Sequence, residues 1–285
     1  MKRFLIILVF CLILPMSYAE AVIDHLPYDI RDSGTYILNS DLSCGDISIH
    51  HNNVVLDGQG HKITNGSIII YSDNVTIKNI KIFNSGSYGI KVLGKYVTLS
   101  QIIANNNDEG ILMSVDCSNC HLSDITANNN NRGIVVVGNN HYLKNIIAKN
   151  NRYYGVHIIS SSNSTFNGLT TSGNGEYGVY LSGSDYNTFN GLITSGNGIY
   201  GVEIDNSKNN TFYNWQIPEG WNNCGNINNS GYNGNIFYNS PSGNSTEGNE
   251  SSSEVSSGNT IKTPIPLPAI IIILSIPIIA LRKLN

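Results

Sequence analysis

Apolar and polar residues alternate with period two in short runs, and the runs recur about every 22 residues from Val54 to Phe212. The middle apolar residue of each run gives the series Leu56, Ile77, Leu99, Leu122, Leu143, Phe166, Phe189, Phe212, with steps of 21, 22, 23, 21, 23, 23 and 23 residues. A second series keeps phase with it: Gly89, Gly110, Gly133, Gly155, Gly178 and Gly201, each followed by Ile or Val. Within a run the alternation breaks once and resumes. In Val75-Thr76-Ile77-Lys78-Asn79-Ile80-Lys81-Ile82 the shift falls at Lys78-Asn79. Another short strand pattern follows each glycine, as in Gly133-Ile134-Val135-Val136 and Gly178-Val179-Tyr180-Leu181. No stretch sustains a 3.6-residue period, which excludes a helical solenoid. A unit of about 22 residues is too short for a propeller blade and suits three short strands per turn of a parallel β-helix. The pattern predicts an all-β, single-domain solenoid of about 8–10 coils, in which function resides in stacked columns of residues.

Two columns stand out. Four positions before each glycine are Ser85, Asn106, Asn129, Asn151, Asn174 and Asn197. At a coil spacing of ~4.8 Å such side chains form a hydrogen-bonded ladder that satisfies buried turn groups. Immediately before each glycine are Tyr88, Glu109, Arg132, Tyr154, Tyr177 and Tyr200, with Tyr153 beside Tyr154. Tyrosines in regular register can stack sugar rings while neighbouring Asn and Ser supply hydrogen bonds, so Tyr88, Tyr153, Tyr154, Tyr177 and Tyr200 are the glycan-binding candidates. The same column is also explained by tyrosines that shield the coil and stabilise one another.

The segment SGTYILNSDLSCGDISIHHNNVVLDGQGHKI (Ser33 to Ile63), followed by NVTIKNIKI-type units, resembles the NosD-like right-handed parallel β-helix proteins. These are common on archaeal surfaces and belong to the pectin-lyase-like superfold. The resemblance runs from Tyr28 to Asn239 and implies a right-handed coil. It does not fix an activity, because that superfold hosts lyases, hydrolases, epimerases and non-enzymatic adhesins.

The flanks read differently from the repeats. Residues 1–19 form a secretory signal, with Lys2 and Arg3, an apolar run from Phe4 to Leu14, and Ser17-Tyr18-Ala19 as the cleavage site. Residues 20–51 are assigned to an N-terminal cap and first coil, and 52–239 to the repeats with a C-terminal cap. Residues 240–263 are a Ser/Gly/Asn/Glu-rich spacer too polar to bury a core. Residues 264–285 end in an apolar tail followed by Arg282-Lys283. They read as a membrane span or as a removable sorting signal resembling those of archaeal surface proteins. Either outcome tethers the repeats to the outer face of the cell membrane. Sequons at Asn65, Asn74, Asn163, Asn209, Asn228, Asn244 and Asn249 fit N-glycosylation of a secreted protein.

Charge and chemistry narrow the function. Only 13% of residues are charged and the net charge is -4, which excludes a phosphate-binding basic stripe and thus nucleic acid. Hydrolysis of a polysaccharide needs paired carboxylates, yet Asp57, Asp73, Asp108, Glu109, Asp116, Asp124, Glu176, Asp185, Glu203 and Asp205 form no repeating column. For a lyase of the superfold type the bases are Arg132 and Arg152, with Asp108, Glu109 and Asp124 as neighbours of Arg132. His50 and His51 point to opposite faces of a strand, His61 lies close by, and His121 and His141 lie on successive coils. Met113 is the only methionine in the mature repeats, which disfavours a Cu(I) site. Cys117-Ser-Asn-Cys120 reads as a local disulfide at a coil turn or a pair of capped thiols. Cys44 and Cys224 are separated by so many coils, at ~4.8 Å apiece, that they cannot bridge. No cofactor and no metal site is expected. The reading is a surface protein with a structural, adhesive or carbohydrate-binding role and no catalysis. The alternatives are a surface polysaccharide lyase or hydrolase and a copper-handling protein.

Overall fold

The computed structural model describes residues 20–216, 227–229 and 234–238. The signal at 1–19, the spacer at 240–263, the tail at 264–285 and the sequons Asn244 and Asn249 lie outside them. Every regular element among the described residues is a β-strand, so no helix there is long and apolar enough to cross a membrane.

Parallel strands stack into a 14-stranded sheet and a 10-stranded sheet. The registers are those of the sequence period: Leu56 pairs with Ile77, Ile77 with Leu99, Leu99 with Leu122, Leu122 with Leu143, Leu143 with Phe166, Phe166 with Phe189, and Phe189 with Phe212. Stacking begins with the segment read as a cap, since Ala21–Ile23 pairs with Gly34–Leu38 and Tyr28–Ile30 with Ile47–Ile49.

The break in the alternation is a bend. Asn79, Gln101, Asp124 and Asn145 stand at φ of 53°, 54°, 56° and 54°, and Gly168, Gly191 and Asn214 continue the column at 71°, 71° and 52°. One left-handed residue per coil folds each long strand of the first sheet into two limbs. It therefore restores inward pointing for Ile80, Ile102, Ile125, Ile146, Leu169 and Leu192, all buried. Each coil thus has three strand segments, two in the first sheet and one in the second.

The interior is a set of like-on-like stacks. Phe166, Phe189 and Phe212 lie with ring centroids 4.6 Å apart at both steps and interplanar angles of 8° and 5°. The column glycines have a steric cause. A Cβ on Gly155 would lie 2.6 Å from the carbonyl oxygen of Gly178 and 2.8 Å from Asn174 Nδ2. The glycine lets the backbone approach the polar ladder that closes the turn.

That ladder is shifted from the expected positions in two coils. The buried members are Asn107, Asn130, Asn151, Asn174 and Asn197, whereas Asn106 and Asn129 are exposed and left-handed at φ of 59° and 57°. Each ladder oxygen accepts the backbone N–H of the coil before it: Asn107 N–H to Asn130 at 2.8 Å, Asn130 to Asn151 at 2.9 Å, Asn151 to Asn174 at 3.0 Å, Asn174 to Asn197 at 3.2 Å. The amide nitrogens of Asn107, Asn130, Asn151 and Asn174 donate to strand-end carbonyls, as Asn174 does to Ala148 at 3.1 Å, and that of Asn197 is buried without a partner. Asn106 and Asn129 fall one residue short because the turn between ladder and glycine is one residue shorter in those coils. Counted forward from the buried strand residues Ala104 and Ala127, the ladder position is constant.

Candidate functional site

The outer face of the second sheet carries the tyrosine column in continuous register. Tyr88 pairs with Glu109, Glu109 with Arg132, Arg132 with Tyr154, and Tyr177 with Tyr200. Tyr154 stacks on Tyr177 at 5.6 Å and 8°, and Tyr177 on Tyr200 at 6.1 Å and 3°. The ring faces inside this column therefore cover one another and present edges and hydroxyls outward. Tyr153 lies outside the stack, exposed, tilted at 47° to Tyr154 with ring centroids 6.3 Å apart and with the Arg152 guanidinium 5.3 Å from its own centroid. Tyr88 is also separate, with Lys91 Nζ 4.9 Å from its centroid.

A second outward column, which the sequence reading did not single out, runs beside the first: Lys91, Leu112, Val135, His157, Tyr180, Glu203. His157 and Tyr180 stack at 4.8 Å and 10°, and Tyr154 leans across both at 4.8 and 5.4 Å. The triplicated Tyr-Gly-Val-x pattern at 154–157, 177–180 and 200–203 is the signal for it, since the residue two after each glycine must point outward. Together the two columns make an aromatic patch that partly dehydrates its own polar groups.

Electrostatics follow from that dehydration. Burial, and then the carboxylate of Glu176, push the Tyr154 hydroxyl up to about 12. Burial, with the Arg132 charge adding to it, brings the His157 imidazole down to about 4. His157 Nδ1 is buried without a hydrogen-bond partner. Glu109 is buried and ion-paired through Oε1 to the half-exposed Arg132, while its Oε2 has no partner. Burial raises its pKa and Arg132 opposes the rise. Of the acids named as neighbours of Arg132, only Glu109 pairs with its guanidinium, while the Asp108 backbone carbonyl accepts the Arg132 N–H at 3.0 Å. Asp108 accepts from Asn131, and Asp124 lies in the first sheet, where Asn145 donates to it at 2.9 Å. Arg152 and Arg132 are not brought to one carboxylate.

The other predicted groups are dispersed. Asp57 sits in a cleft of about 640 Å³ at the bend of the first sheet, lined also by Gln59, Asn79, Lys81, Gln101 and Ile103. Burial opposes its ionisation, yet hydrogen bonds from the Gln59 backbone, Lys78 and Asn79 hold its carboxyl below the usual range. His50 stacks on Tyr71 at 4.8 Å, and His61 lies 3.3 Å from Asp41. Cys44 is exposed and unbonded, and Cys224 lies outside the described residues. The sequons Asn74, Asn163 and Asn209 occupy one left-handed turn position, φ 55°, 56° and 57°. Each is followed two residues later by the outward Thr that opens a strand. The coil thus generates N-x-T motifs by its own geometry. Asn65 is exposed in another left-handed turn, and Asn228 lies in the strand Ile227–Asn229.

The family model described as "right handed beta helix region" matches residues 28–170, just over half of the chain. The chain belongs to the right-handed β-helix family. No curated protein matches the sequence. Among solved structures, the β-helix is similar to the enzymatically active domain of bacteriophage CBA120 tailspike protein 2, at 16% identity and a TM-score of 0.57. That match covers 71% of this chain and 38% of that one. Dettilon tailspike protein gives 12% identity and 0.55, covering 76% and 57%. The A-module of mannuronan C-5 epimerase AlgE6 from Azotobacter vinelandii gives 15% and 0.51, covering 77% and 76%. The β-helix spans well under half of the first tailspike domain. At these identities the likeness is one of fold alone.

Proposed function

We propose that this β-helix is a surface carbohydrate-binding protein, held outside the cell by residues 264–285, whose ligand runs along the outer face of the second sheet. The observation that carries this is the stacked column Tyr154–Tyr177–Tyr200, at steps of 5.6 and 6.1 Å. That spacing is close to the length one sugar residue adds to an extended glycan. The column offers a row of phenol hydroxyls at its edge rather than ring faces along its length. Stacking on a sugar face falls to the open ends of the column and to Tyr153. The tailspikes and the epimerase module are structural company for this reading and not its basis.

A glycan array probed with the intact chain tests it. Binding to extended glycans is expected, falling about tenfold in Tyr177→Ala. Equal binding by Tyr154→Ala, Tyr177→Ala and the parent chain removes the tyrosine face from the proposal.

The second reading is a polysaccharide lyase, favoured by Arg132, Glu109, Tyr154 and His157 lying together on one face. Against it, the free nitrogen of His157 is walled in, and the Tyr154 hydroxyl holds its proton at neutral pH. Incubation with a panel of uronate polysaccharides distinguishes the two. An absorbance rise from unsaturated products that is abolished by Arg132→Ala establishes catalysis, and none is expected.

A further inference from the structure

Coil stacking places Cys117, Cys120 and His141 together, with donor atoms within 4.8 Å of one another and all three residues buried. The positions belong to a recurring turn. Coil by coil its inward residues are Cys117 and Cys120, Gly138 and His141, Ser161 and Ser164, Ser184 and Asn187, Ser207 and Asn210. From His141 onward each member's backbone N–H donates to the next side chain: His141 to Ser164 at 3.0 Å, Ser164 to Asn187 at 2.9 Å, Asn187 to Asn210 at 2.9 Å. In the other direction the column turns apolar at Val97 and Val75, which immediately precede the register partners Thr98 and Thr76 as Cys120 precedes His121. The two cysteines and the imidazole therefore lie at the junction of a polar ladder and a dry core.

The imidazole is held in one tautomer. Its Nε2 lies 3.0 Å from the Val137 carbonyl, which can only accept, so Nε2 carries the proton and the Nδ1 lone pair faces Cys120. The contact that lone pair makes, from the Cys120 backbone N–H, is long at 3.3 Å. A ring nitrogen anchored to a backbone carbonyl, with the imidazole within 4.8 Å of two sulfurs, is the arrangement of a metal-ligating histidine. Cys120 Sγ also lies 3.6 Å from the Gly94 carbonyl oxygen, a further hard donor at the edge of the cluster.

The pair is disulfide-bonded in this structure. We propose that opening this disulfide creates a buried site for one borderline-soft divalent cation of the zinc type, held by Cys117 Sγ, Cys120 Sγ and His141 Nδ1. Two thiolates and one imidazole match that ion's preference, and three protein donors leave its fourth position for a carbonyl or water. With a phosphine as reductant, the phosphine takes the oxygen of one water and becomes its oxide. The two protons of that water go to the two sulfurs as the S–S bond breaks. Binding the cation then releases both thiol protons to solvent. Disulfide and metal are thus mutually exclusive occupants of one turn.

The test uses the full chain with Cys11, Cys44 and Cys224 replaced by serine, reduced with a phosphine, freed of it without air, and titrated with Co²⁺ and then Zn²⁺. About one equivalent of Co²⁺ with a sulfur-to-cobalt charge-transfer band, displaced by Zn²⁺, is expected after reduction and none before it. His141→Asn keeps an acceptor and a donor for the ladder and is expected to weaken binding about 10–100-fold while the β-sheet circular dichroism persists. Equal uptake by the Cys117→Ser/Cys120→Ser variant overturns the proposal, as does a reduced chain that stays folded without binding. A reduced chain that loses its β signal and takes up no metal also overturns it, assigning the disulfide a purely structural role.

Discussion

At the scale of single residues, stability is concentrated in side chains that no solvent reaches. Asn174 accepts the Asn151 N–H, donates to the Ala148 carbonyl at 3.1 Å and bonds Asn197 at 2.8 Å, at 1% exposure. Truncation leaves several buried groups unmade, at about 1–3 kcal/mol each. Asn174→Ala is therefore expected to cost about 3 kcal/mol or more in urea unfolding, whereas the exposed Asn106→Ala, outside the ladder, costs under about 1. His157 gives a pH signature. Its imidazole is brought down to about 4 from the ordinary 6.5, so between those values the unfolded chain binds a proton that the folded chain does not. Its contribution is full above about pH 6.5 and is lost as pH falls towards about 4. His157→Gln should flatten the fall in urea midpoint over that window, and an unchanged slope would show that this imidazole titrates freely. The ladder illustrates what the sequence could carry. Asn151, Asn174 and Asn197 are found by counting back from glycine. The one-residue shortening of the turn hides Asn107 and Asn130 behind left-handed asparagines of the same residue type.

At the scale of strands and turns, the core is legible because like residues stack in register, and the outer faces are less so. The phenylalanine stack at 166, 189 and 212 is a direct reading of the period. Phe189, sandwiched between rings at 4.6 Å on both sides, is expected to cost about 3–5 kcal/mol as Phe189→Ala. Gly155→Ala must push a methyl against Gly178 O and Asn174 Nδ2, at about 1–3 kcal/mol by thermal or urea unfolding. A Gly60→Ala control, with open space at Cβ but a φ of 82°, reports backbone strain alone. Outward positions are not required to be apolar, so the sequence shows their columns only where a residue type repeats. Tyrosine before glycine repeats and was visible. Lys91, Leu112, Val135, His157, Tyr180 and Glu203 share a column yet no chemistry, and only the register unites them. The approach of His141 to the Cys-x-x-Cys was hidden for a related reason: that spacing is the coil's own Ser-x-x-Asn turn with sulfur substituted.

At the scale of the whole molecule, a stack in which each coil contacts its neighbours should tolerate losing one complete repeat and should not tolerate losing part of one. Thr165 and Thr188 are register partners, so excising residues 165–187 joins Ser164 to Thr188 at equivalent points of the turn. Every column then continues: Leu143 meets Phe189, Asn151 meets Asn197, His141 keeps Ser164 as its ladder acceptor, and Ser164 meets Asn210 in place of Asn187. The excised chain is expected to keep its β circular dichroism, to unfold cooperatively, and to show a urea m-value lower by about a tenth, in proportion to the surface no longer buried. Excising 165–186 instead leaves one residue too many at the junction. With a side-chain period of two, that residue must be absorbed as a bulge or it turns an inward face outward, so a further loss of several kcal/mol is expected. Equal stability of the two deletions would mean that the coils are not held in register by their columns. The tyrosine face shortens to Tyr154 stacked on Tyr200 in the excised chain. Glycan affinity should therefore fall with the length of the column while the fold persists, which separates the binding surface from the scaffold that sets its spacing.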